Sequence, residues 1–307
     1  MFWIFLILFL LIVISAVIYY FFSVAFVKLN IGNPDDLNDS INKPLQKYKD
    51  IIQSGLDFIA QKPHEWVSTV SFDGLRLAAR YFDNKSDKTV ILFHGYRSSA
   101  ARDFSCAIEM YTRFGFNILL CDQRSHGRSE GRLITFGIKE SRDVKTWVEY
   151  VTEHYGTEKI LLGGMSMGAT TVLLACGLSL PKSVKGVVAD CGYTSPIEIM
   201  KRVAKKSMHI NATMFLPFLN LYCKLLGGFS IYGTDTRKIM KYTDMPVIFI
   251  HGSDDGFVPC EMSKEAYSVN TKNRKLVFVE GADHGLSYLI DKKTVEKELG
   301  DFISKIF

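Results

Sequence analysis

No acidic residue, basic residue or histidine occurs in the first 27 positions of this 307-residue chain. Only Ser15 and Ser23 in that stretch fall outside the hydrophobic residue types. A helix needs about 20 apolar residues to cross a bilayer. Residues 1–27 are therefore predicted to form a transmembrane helix, which makes the chain a single-pass membrane protein with the lipid bilayer as a partner.

Two alternatives to a span remain for residues 1–27. A cleaved secretory signal has an apolar core of about 7–15 residues, which is much shorter than this run, and no Lys or Arg precedes it. Small residues suited to cleavage are missing as well, since bulky aromatic side chains occupy positions 19–22. A buried hairpin or an interfacial helix is the other alternative.

The cations that flank the apolar run all follow it. The positive-inside rule places the lysine-bearing side of a span in the cytoplasm, so the remainder of the chain is predicted to be cytoplasmic. The bias is small because three aspartates lie among the lysines. The lysines are Lys28, Lys43, Lys47 and Lys49, and the aspartates are Asp35, Asp36 and Asp39.

Several other features are absent from the chain. None of the six cysteines forms a C-x-x-C pair, so no zinc or redox motif is present, and Cys121 and Cys191 lie in apolar runs that predict burial. There is no Lys/Arg-rich block, and the net charge of +5 is modest, so no nucleic-acid partner is expected. The composition also excludes a disordered chain, a collagen and a disulfide miniprotein.

Short apolar runs dominate the sequence after a predicted polar connector at 28–64. Two strand-like runs at 66–72 and 75–82 meet at Asp73-Gly74, which is a hairpin signal. Six wholly apolar runs then alternate with helical segments, which predicts an α/β fold with strands buried in a parallel sheet. These runs are 89–94, 116–121, 160–163, 186–189, 247–251 and 276–279, and the helices are 102–114, 141–155, 167–178, 260–268 and 292–306.

The alternation stops between Tyr193 and Asp244, where the pattern is helical and rich in Met and Phe. In open sheets, an insertion at this place lies over the carboxyl ends of the strands, where ligands bind. Residues at about 195–243 are therefore predicted to be a lid. Its Met and Phe side chains are expected to pack against the domain or to line an acyl pocket, and the two roles are compatible on opposite faces. The apolar run at 213–222 is too short to span a membrane.

The sequence Gly164-Met165-Ser166-Met167-Gly168 matches the G-x-S-x-G pattern of a nucleophile elbow. It follows a predicted strand and precedes a predicted helix, which is the context that such an elbow requires. The glycines permit a sharp turn, and the start of the helix supplies backbone N–H groups beside the serine hydroxyl. Ser166 is therefore the candidate nucleophile.

A serine hydroxyl needs a base to take its proton. Among the seven histidines, His284 lies in a loop after the last predicted strand, from which a base can reach across the strand tips. A carboxylate between the serine and the histidine should complete the order Ser, Asp/Glu, His. Asp254 and Asp255 both follow the preceding strand, and spacing alone does not choose between them.

Five ordered motifs, each at a predicted strand end, carry a resemblance to a known family. Over roughly residues 65–307 the chain resembles the α/β-hydrolase superfamily. It is most similar to single-span bacterial serine hydrolases akin to the eukaryotic membrane-anchored α/β-hydrolase-domain proteins. The motifs are HGY at 94–96, DQRSHGRSEG at 122–131, GMSMG at 164–168, HGSDDGFVP at 251–259 and GADHG at 281–285.

The resemblance implies an α/β-hydrolase fold at 65–307, with a mostly parallel central sheet, helices on both faces and a helical lid. The family pattern HG-x-x-D-x-x-V-P implies Asp255 as the acidic member, with Asp254 in reserve. The implied chemistry is acyl transfer through an acyl-enzyme, which requires no metal or cofactor. The implied oxyanion donors are the backbone N–H groups of Met167 and Tyr96.

Four further polar residues receive structural roles. The segment at 122–131 is expected to order the strand tips, so Arg124 and His126 are interpreted as structural rather than catalytic. Glu140 and Asp143 begin a predicted helix and are interpreted as favourable N-terminal charges.

The functional prediction is a serine hydrolase that acts on a small acyl ester or thioester, with lipid-like acyl chains favoured by the lid and the span. A serine peptidase of the prolyl-oligopeptidase type is the first alternative. A non-catalytic binding module on the same fold is the second.

Overall fold

The computed structural model describes residues 1–29, 35 and 43–307. Residues 30–34 and 36–42 of the predicted connector, which include Asp36 and Asp39, lie outside the described residues. The strands are β1 Glu65–Val70, β2 Arg76–Phe82, β3 Lys88–Phe93, β4 Asn117–Asp122, β5 Lys159–Met165, β6 Val184–Asp190, β7 Val247–Gly252 and β8 Arg274–Val279. The helices are α1 Phe2–Phe26, α2 Lys43–Gln46, α3 Lys49–Gln61, α4 Ala100–Phe104, α5 Ile108–Arg113, α6 Glu140–Tyr155, α7 Met167–Ala175, α8 Pro196–Met208, α9 Leu216–Gly227, α10 Thr236–Tyr242, α11 Cys260–Ser268, α12 Ser287–Ile290 and α13 Lys292–Ile306.

The eight strands form one sheet in the order β1-β2-β4-β3-β5-β6-β7-β8. β1 pairs antiparallel with β2, and β2 pairs antiparallel with β4, while all later pairings are parallel. The residues of β4 and β7 are buried throughout, as wholly apolar strands between two helical layers must be. The α/β prediction is confirmed, and the carboxyl ends of β3, β5, β6, β7 and β8 meet at one edge.

The prediction of one continuous helix at 102–114 is wrong. The segment at 102–114 contains two helices, α4 and α5, separated by residues 105–107. The Ser105 hydroxyl donates to the Arg102 carbonyl 2.9 Å away, a local bond that competes with helix continuation. α3 also approaches the break so closely that a Cβ on Gly55 would overlap the Ser105 carbonyl. The break exposes residues 106 and 107 to the space above the sheet edge.

α1 is the one helix in the described part of the chain that is long and apolar enough to cross a membrane. Most of it is exposed, but Phe22 and Phe26 near its end are buried. The polar groups at that end are bound by the rest of the chain: Tyr96 Oη donates to the Ala25 carbonyl at 2.8 Å, and Ile134 N–H donates to the Phe26 carbonyl at 2.7 Å. The end of α1 is therefore fitted to the domain rather than loosely tethered.

Residues 191–246, all of which are described, contain α8, α9, α10 and a short 3-10 helix but no strand. The apolar side chains on one face of α9 pack against α1, where Leu216 and Cys223 join Phe22 and Phe26 in one cluster. Met200 and Phe229 join the same cluster, so part of this segment packs as expected, whereas Met214 and Phe218 remain exposed.

A buried ion pair connects the loop after β4 to α6. The Arg124 guanidinium is 2% exposed and binds both oxygens of Asp143, at 2.7 and 2.6 Å, and both oxygens of Asp73 in the β1–β2 turn. Glu140 accepts bonds from the Thr135 and Gly137 N–H groups. Glu140 and Asp143 do lie in the first turn of α6, but their interpretation as helix charges missed these partners, which fix the loop.

Replacing Arg124 with methionine is expected to lower the free energy of unfolding by about 3–5 kcal/mol, because it leaves the Asp143 carboxylate buried without its partner. The matched control is Arg113→Met, which breaks the exposed pair with Glu296 and should cost under about 1 kcal/mol. Urea unfolding of both variants measures the difference. If both variants lose the same free energy of unfolding, the buried ion pair of Arg124 with Asp143 is no more stabilising than the exposed pair.

The loss in free energy of unfolding caused by Arg124→Met should also depend on pH. Burial already raises the pKa of Asp143 from 3.8 to about 6 in the presence of Arg124. Without the guanidinium, the folded chain takes up a proton that the unfolded chain does not bind until the pH falls toward 3.8. The folded variant is therefore favoured as the pH falls, and the stability difference from wild type narrows until the pH reaches about 6, below which Asp143 is protonated in both proteins.

Candidate active site

Ser166 occupies the sharp turn between β5 and α7. Its backbone has φ 55° and ψ −113°, a strained conformation for a residue with a side chain. A Cβ on Gly164 would overlap the Gly168 carbonyl, and a Cβ on Gly168 would overlap the Phe93 carbonyl. Both glycines are thus required by close backbone approach, and together they hold the serine hydroxyl above the sheet edge.

His284 lies beside Ser166 on the loop after β8. Its Nε2 is 2.9 Å from Ser166 Oγ, and its Nδ1 is 2.6 Å from Asp255 Oδ2. The serine hydroxyl can therefore donate to Nε2 while the Nδ1–H donates to the carboxylate. Asp283 accepts bonds from the Gly256 and His284 N–H groups at 2.9 and 2.7 Å. Asp283, which the sequence analysis passed over, thereby joins the two loops that carry Asp255 and His284.

The Asp255 carboxylate is buried and accepts four hydrogen bonds. Oδ1 accepts from the Phe257 and Val258 N–H groups at 2.9 and 2.7 Å, and Oδ2 accepts from His284 and from His251 Nε2 at 3.1 Å. Burial disfavours the charged form, but the hydrogen bonds from the two histidines outweigh it and hold the pKa of Asp255 well below its usual range. The carboxylate is therefore ionised when His284 acts.

Asp254 occupies a different environment from its neighbour. Its side chain is exposed, and Oδ1 accepts a bond from the Ser253 hydroxyl at 2.7 Å. The structure thus brings Asp255, and not Asp254, to His284.

Two other histidines at strand ends are fully buried and bond to groups other than Ser166. His251 donates from Nε2 to the Val258 carbonyl, and its Nδ1 accepts from the Ser263 hydroxyl at 2.7 Å. His94 donates from Nδ1 to the Gly95 carbonyl and accepts from the Gln123 N–H. Burial lowers the pKa of His94 to about 4, so its imidazole stays neutral and serves as a fixed hydrogen-bonding group.

The loop after β3 carries one of the two expected oxyanion donors. Gly95 is so close to Ser166 that a Cβ on it would lie 3.4 Å from the serine Cβ. The Asp103 carboxylate accepts from the Gly95 N–H at 2.7 Å and also from the Ser98 hydroxyl. Tyr96, the next residue, lines the same cavity as Ser166. Asp103 is a loop-fixing residue that sequence reasoning missed, since it lies inside a predicted helix.

A second carboxylate, Asp190, lies at the end of β6 beside the elbow. Its backbone carbonyl accepts from the Ser166 N–H at 2.8 Å. Burial raises the pKa of its side chain to about 6. Its position directly after an apolar run is the sequence signal that places it at this edge of the sheet.

Three potential metal-ligating groups come together here. The ligand atoms of Cys191, Asp255 and His284 lie within 4.8 Å of one another. A thiol must be deprotonated to ligate a metal, but burial raises the pKa of Cys191 well above its usual value. Asp255 and His284 are already hydrogen-bonded to each other. The donor set is therefore poorly suited to a metal.

A cavity of about 570 Å³ opens above Ser166 and His284, a size typical of small-molecule sites. Its apolar wall includes Leu45 and Ile52 from the connector helices α2 and α3, and Leu289 from α12. Within residues 191–246, Lys206 alone lines it. The apolar side chains that line this cavity thus come from outside residues 195–243. The amphipathic spacing of Ile52, Leu56 and Ile59 was the signal that this connector helix has a buried face.

Comparison with known proteins gives a consistent set of relatives. The serine aminopeptidase S33 family matches residues 84–222. The uncharacterized protein YqkD of Bacillus subtilis is 26% identical over 71% of this chain and 72% of its own length. The bifunctional esterase/perhydrolase DCH of Acinetobacter calcoaceticus is 24% identical over 71% of this chain and 92% of its own. The structure of the Pyrococcus furiosus esterase Pf2001 superposes with a TM-score of 0.67 at 25% identity, covering 81% of this chain and 93% of the esterase.

Proposed function

Because this chain belongs to the α/β-hydrolase superfamily, we propose that it is a serine hydrolase that cleaves esters or thioesters of lipid-like acyl chains. Its esterase relatives support ester hydrolysis as the reaction class. The observation that carries the finer proposal is the hydrogen-bonded chain from Ser166 through His284 to Asp255, which faces a cavity with an apolar wall.

The geometry supports an acyl-enzyme mechanism. Ser166 Oγ attacks the carbonyl carbon while His284 Nε2 takes its proton, and Asp255 stabilises the imidazolium that forms. The proton then passes from Nε2 to the leaving oxygen or sulfur, and water repeats the sequence to release the acid. The Met167 and Tyr96 N–H groups are the proposed oxyanion donors, each supplying about 3 kcal/mol of transition-state stabilisation.

The cavity and α1 together favour a lipid-like substrate. An acyl chain attached to Ser166 would extend along the apolar wall formed by α2, α3 and α12, away from water. We also propose that α1 spans the bilayer as an anchor and that the hydrolase domain lies on the cytoplasmic side. Burial of Phe22 and Phe26 against the domain supports a retained helix over a cleaved signal.

A peptidase is the second candidate, favoured by the description of the matching family as serine aminopeptidases. An aminopeptidase needs a carboxylate to bind the substrate ammonium group. Asp103 and Asp283 line the cavity, but each already accepts bonds from two groups of its own loops. The ester reading is therefore preferred. A non-catalytic module is disfavoured because the nucleophile, base and acid are all present and in contact.

The test uses the full chain in lipid nanodiscs with p-nitrophenyl esters of graded acyl length, alongside aminoacyl p-nitroanilides of matched size. We expect the rate of ester hydrolysis to rise with acyl-chain length until the cavity is filled, and the rate of anilide hydrolysis to be low. A fluorophosphonate should label the protein covalently and abolish its activity. Folded protein that neither turns over an ester nor reacts with the fluorophosphonate would overturn the proposal. Preferred anilide turnover would establish the peptidase instead.

A further inference from the structure

A stripe of large apolar side chains on α9 and the turn before it faces outward. Met214, Phe218, Leu221 and Leu225 are 78%, 53%, 51% and 72% exposed. Their spacing of four, three and four residues places them on one helical face. Residues 210–234 contain Lys224 as their single charged residue. An apolar face of this kind in a water-soluble domain is a binding surface or an aggregation hazard.

The opposite side of α9 is attached to α1. The Tyr222 and Ser15 hydroxyls lie 2.6 Å apart, and the Tyr222 ring centroid is 5.9 Å from that of Tyr19 and 6.0 Å from that of Phe22. Ser15 is one of two residues in 1–27 outside the hydrophobic types. In hydrocarbon a serine hydroxyl can bond only to protein groups, and α9 supplies one.

The position of the Ser15–Tyr222 contact along α1 indicates how deep in a bilayer α9 would lie. Ser15 precedes Phe26, the end of α1 at the domain, by 11 residues. At 1.5 Å per residue the contact is about 16 Å from that end, roughly half of the ~30 Å thickness of a bilayer core. If α1 spans the membrane, Tyr222 and the α9 residues around it therefore lie at the depth of the lipid acyl chains.

We propose that α9 enters the same bilayer as α1, with the Met214, Phe218, Leu221 and Leu225 stripe in contact with lipid acyl chains. Lipid is the occupant that the contact of α9 with α1 favours, because most apolar side chains of α1 are themselves exposed. α9 has 12 residues and is too short to cross, so it enters and returns on the same side. Gly228, which has φ 62°, ends α9 where Phe229 packs against Phe26 at the domain end of α1.

The neighbouring charges fit this arrangement. α8, which leads into α9, carries Arg202 and Lys205 as exposed cations toward its end, where they suit the anionic headgroups at the membrane surface. Lys206 of the same helix lines the active-site cavity and donates to the Gly256 carbonyl. A membrane-embedded α9 thus holds the cavity beside the surface from which a lipid-like substrate arrives.

The inference rests on the proposed span of α1, and quenching of tryptophan by brominated acyl chains tests the two separately. The full chain is placed in nanodiscs of ordinary or brominated phosphatidylcholine. Trp3 of α1 reports the span in the wild type, since Trp66 and Trp147 lie in the domain. Phe218→Trp adds a reporter to α9. Tyr242→Trp, at an 80% exposed position on α10, is the matched control.

The expected result is that bromine quenches part of the wild-type emission, quenches most of the emission added by Phe218→Trp, and leaves the emission added by Tyr242→Trp unchanged. If the wild type is quenched but the added Phe218→Trp emission is not, the span stands and the α9 inference is overturned. A blue-shifted but unquenched Phe218→Trp signal overturns it too, because protein would then cover the stripe. An unquenched wild type overturns the span, and the α9 inference with it.

Discussion

Replacing Ser166 with alanine is expected to lower kcat for ester hydrolysis by about 10⁶-fold, the loss typical of removing a serine nucleophile. Without Oγ no acyl-enzyme forms, and His284 has no hydroxyl to deprotonate. KM should change little, because the cavity wall stays intact. Initial rates with p-nitrophenyl esters and labelling by a fluorophosphonate measure the effect.

Ser253→Ala is the matched control for that experiment. Ser253 lies on the loop that carries Asp255 but is exposed and bonds to Asp254 and to the Gly281 N–H. Its removal should leave kcat within a few-fold of wild type and leave labelling intact. Retained labelling of Ser166→Ala at the wild-type rate would assign the nucleophile to another residue and refute the proposed chemistry.

Local sequence signals were sufficient for most of the sheet and for the candidate site. Each strand in the parallel part is an uninterrupted apolar run, and the proposed nucleophile, base and acid follow directly on β5, β8 and β7. Because parallel strands end at one edge, residues that follow them meet there whatever their separation along the chain. This is why Ser166 and His284, 118 positions apart, could be paired from sequence.

Features that depend on packing between distant segments could not be inferred in that way. Ile52 and Leu289 meet in the cavity wall, although neither belongs to a motif. The break between α4 and α5 depends on the close approach of Gly55 in a segment that sequence alone describes as a polar connector. Long-range side-chain packing of this kind is not encoded in local periodicity.

The contacts between α1 and the rest of the chain, close to the candidate active site, also could not be predicted from sequence. Sequence describes an anchor followed by a connector. In the structure, Arg97 donates to the carbonyls of Val24 and Val27, and the Tyr96 hydroxyl donates to Ala25. These bonds satisfy helix-end carbonyls that would otherwise lack partners. Since Tyr96 is also the proposed oxyanion donor, α1 and the loop after β3 share one set of contacts.

Replacing Asp255 with asparagine is expected to lower kcat by about 10⁴-fold, with some loss of stability because His251 Nε2 then faces the amide NH₂ in place of Oδ2. The Phe257 and Val258 N–H groups face Oδ1, so the amide oxygen must remain there and the NH₂ group must face His284. That group donates to Nδ1 and forces the imidazole proton onto Nε2. The ring then cannot accept the proton of Ser166.

Asp254→Asn is the matched control, since Asp254 is exposed and its contact with the Ser253 hydroxyl survives in the amide. Its kcat should stay within a few-fold of wild type. Steady-state rates of both variants, with urea unfolding to verify that each is folded, decide between the two aspartates. A loss in Asp254→Asn comparable to that expected for Asp255→Asn would contradict the geometry, because only the Asp255 carboxylate lies within hydrogen-bonding distance of His284 Nδ1 among the described residues.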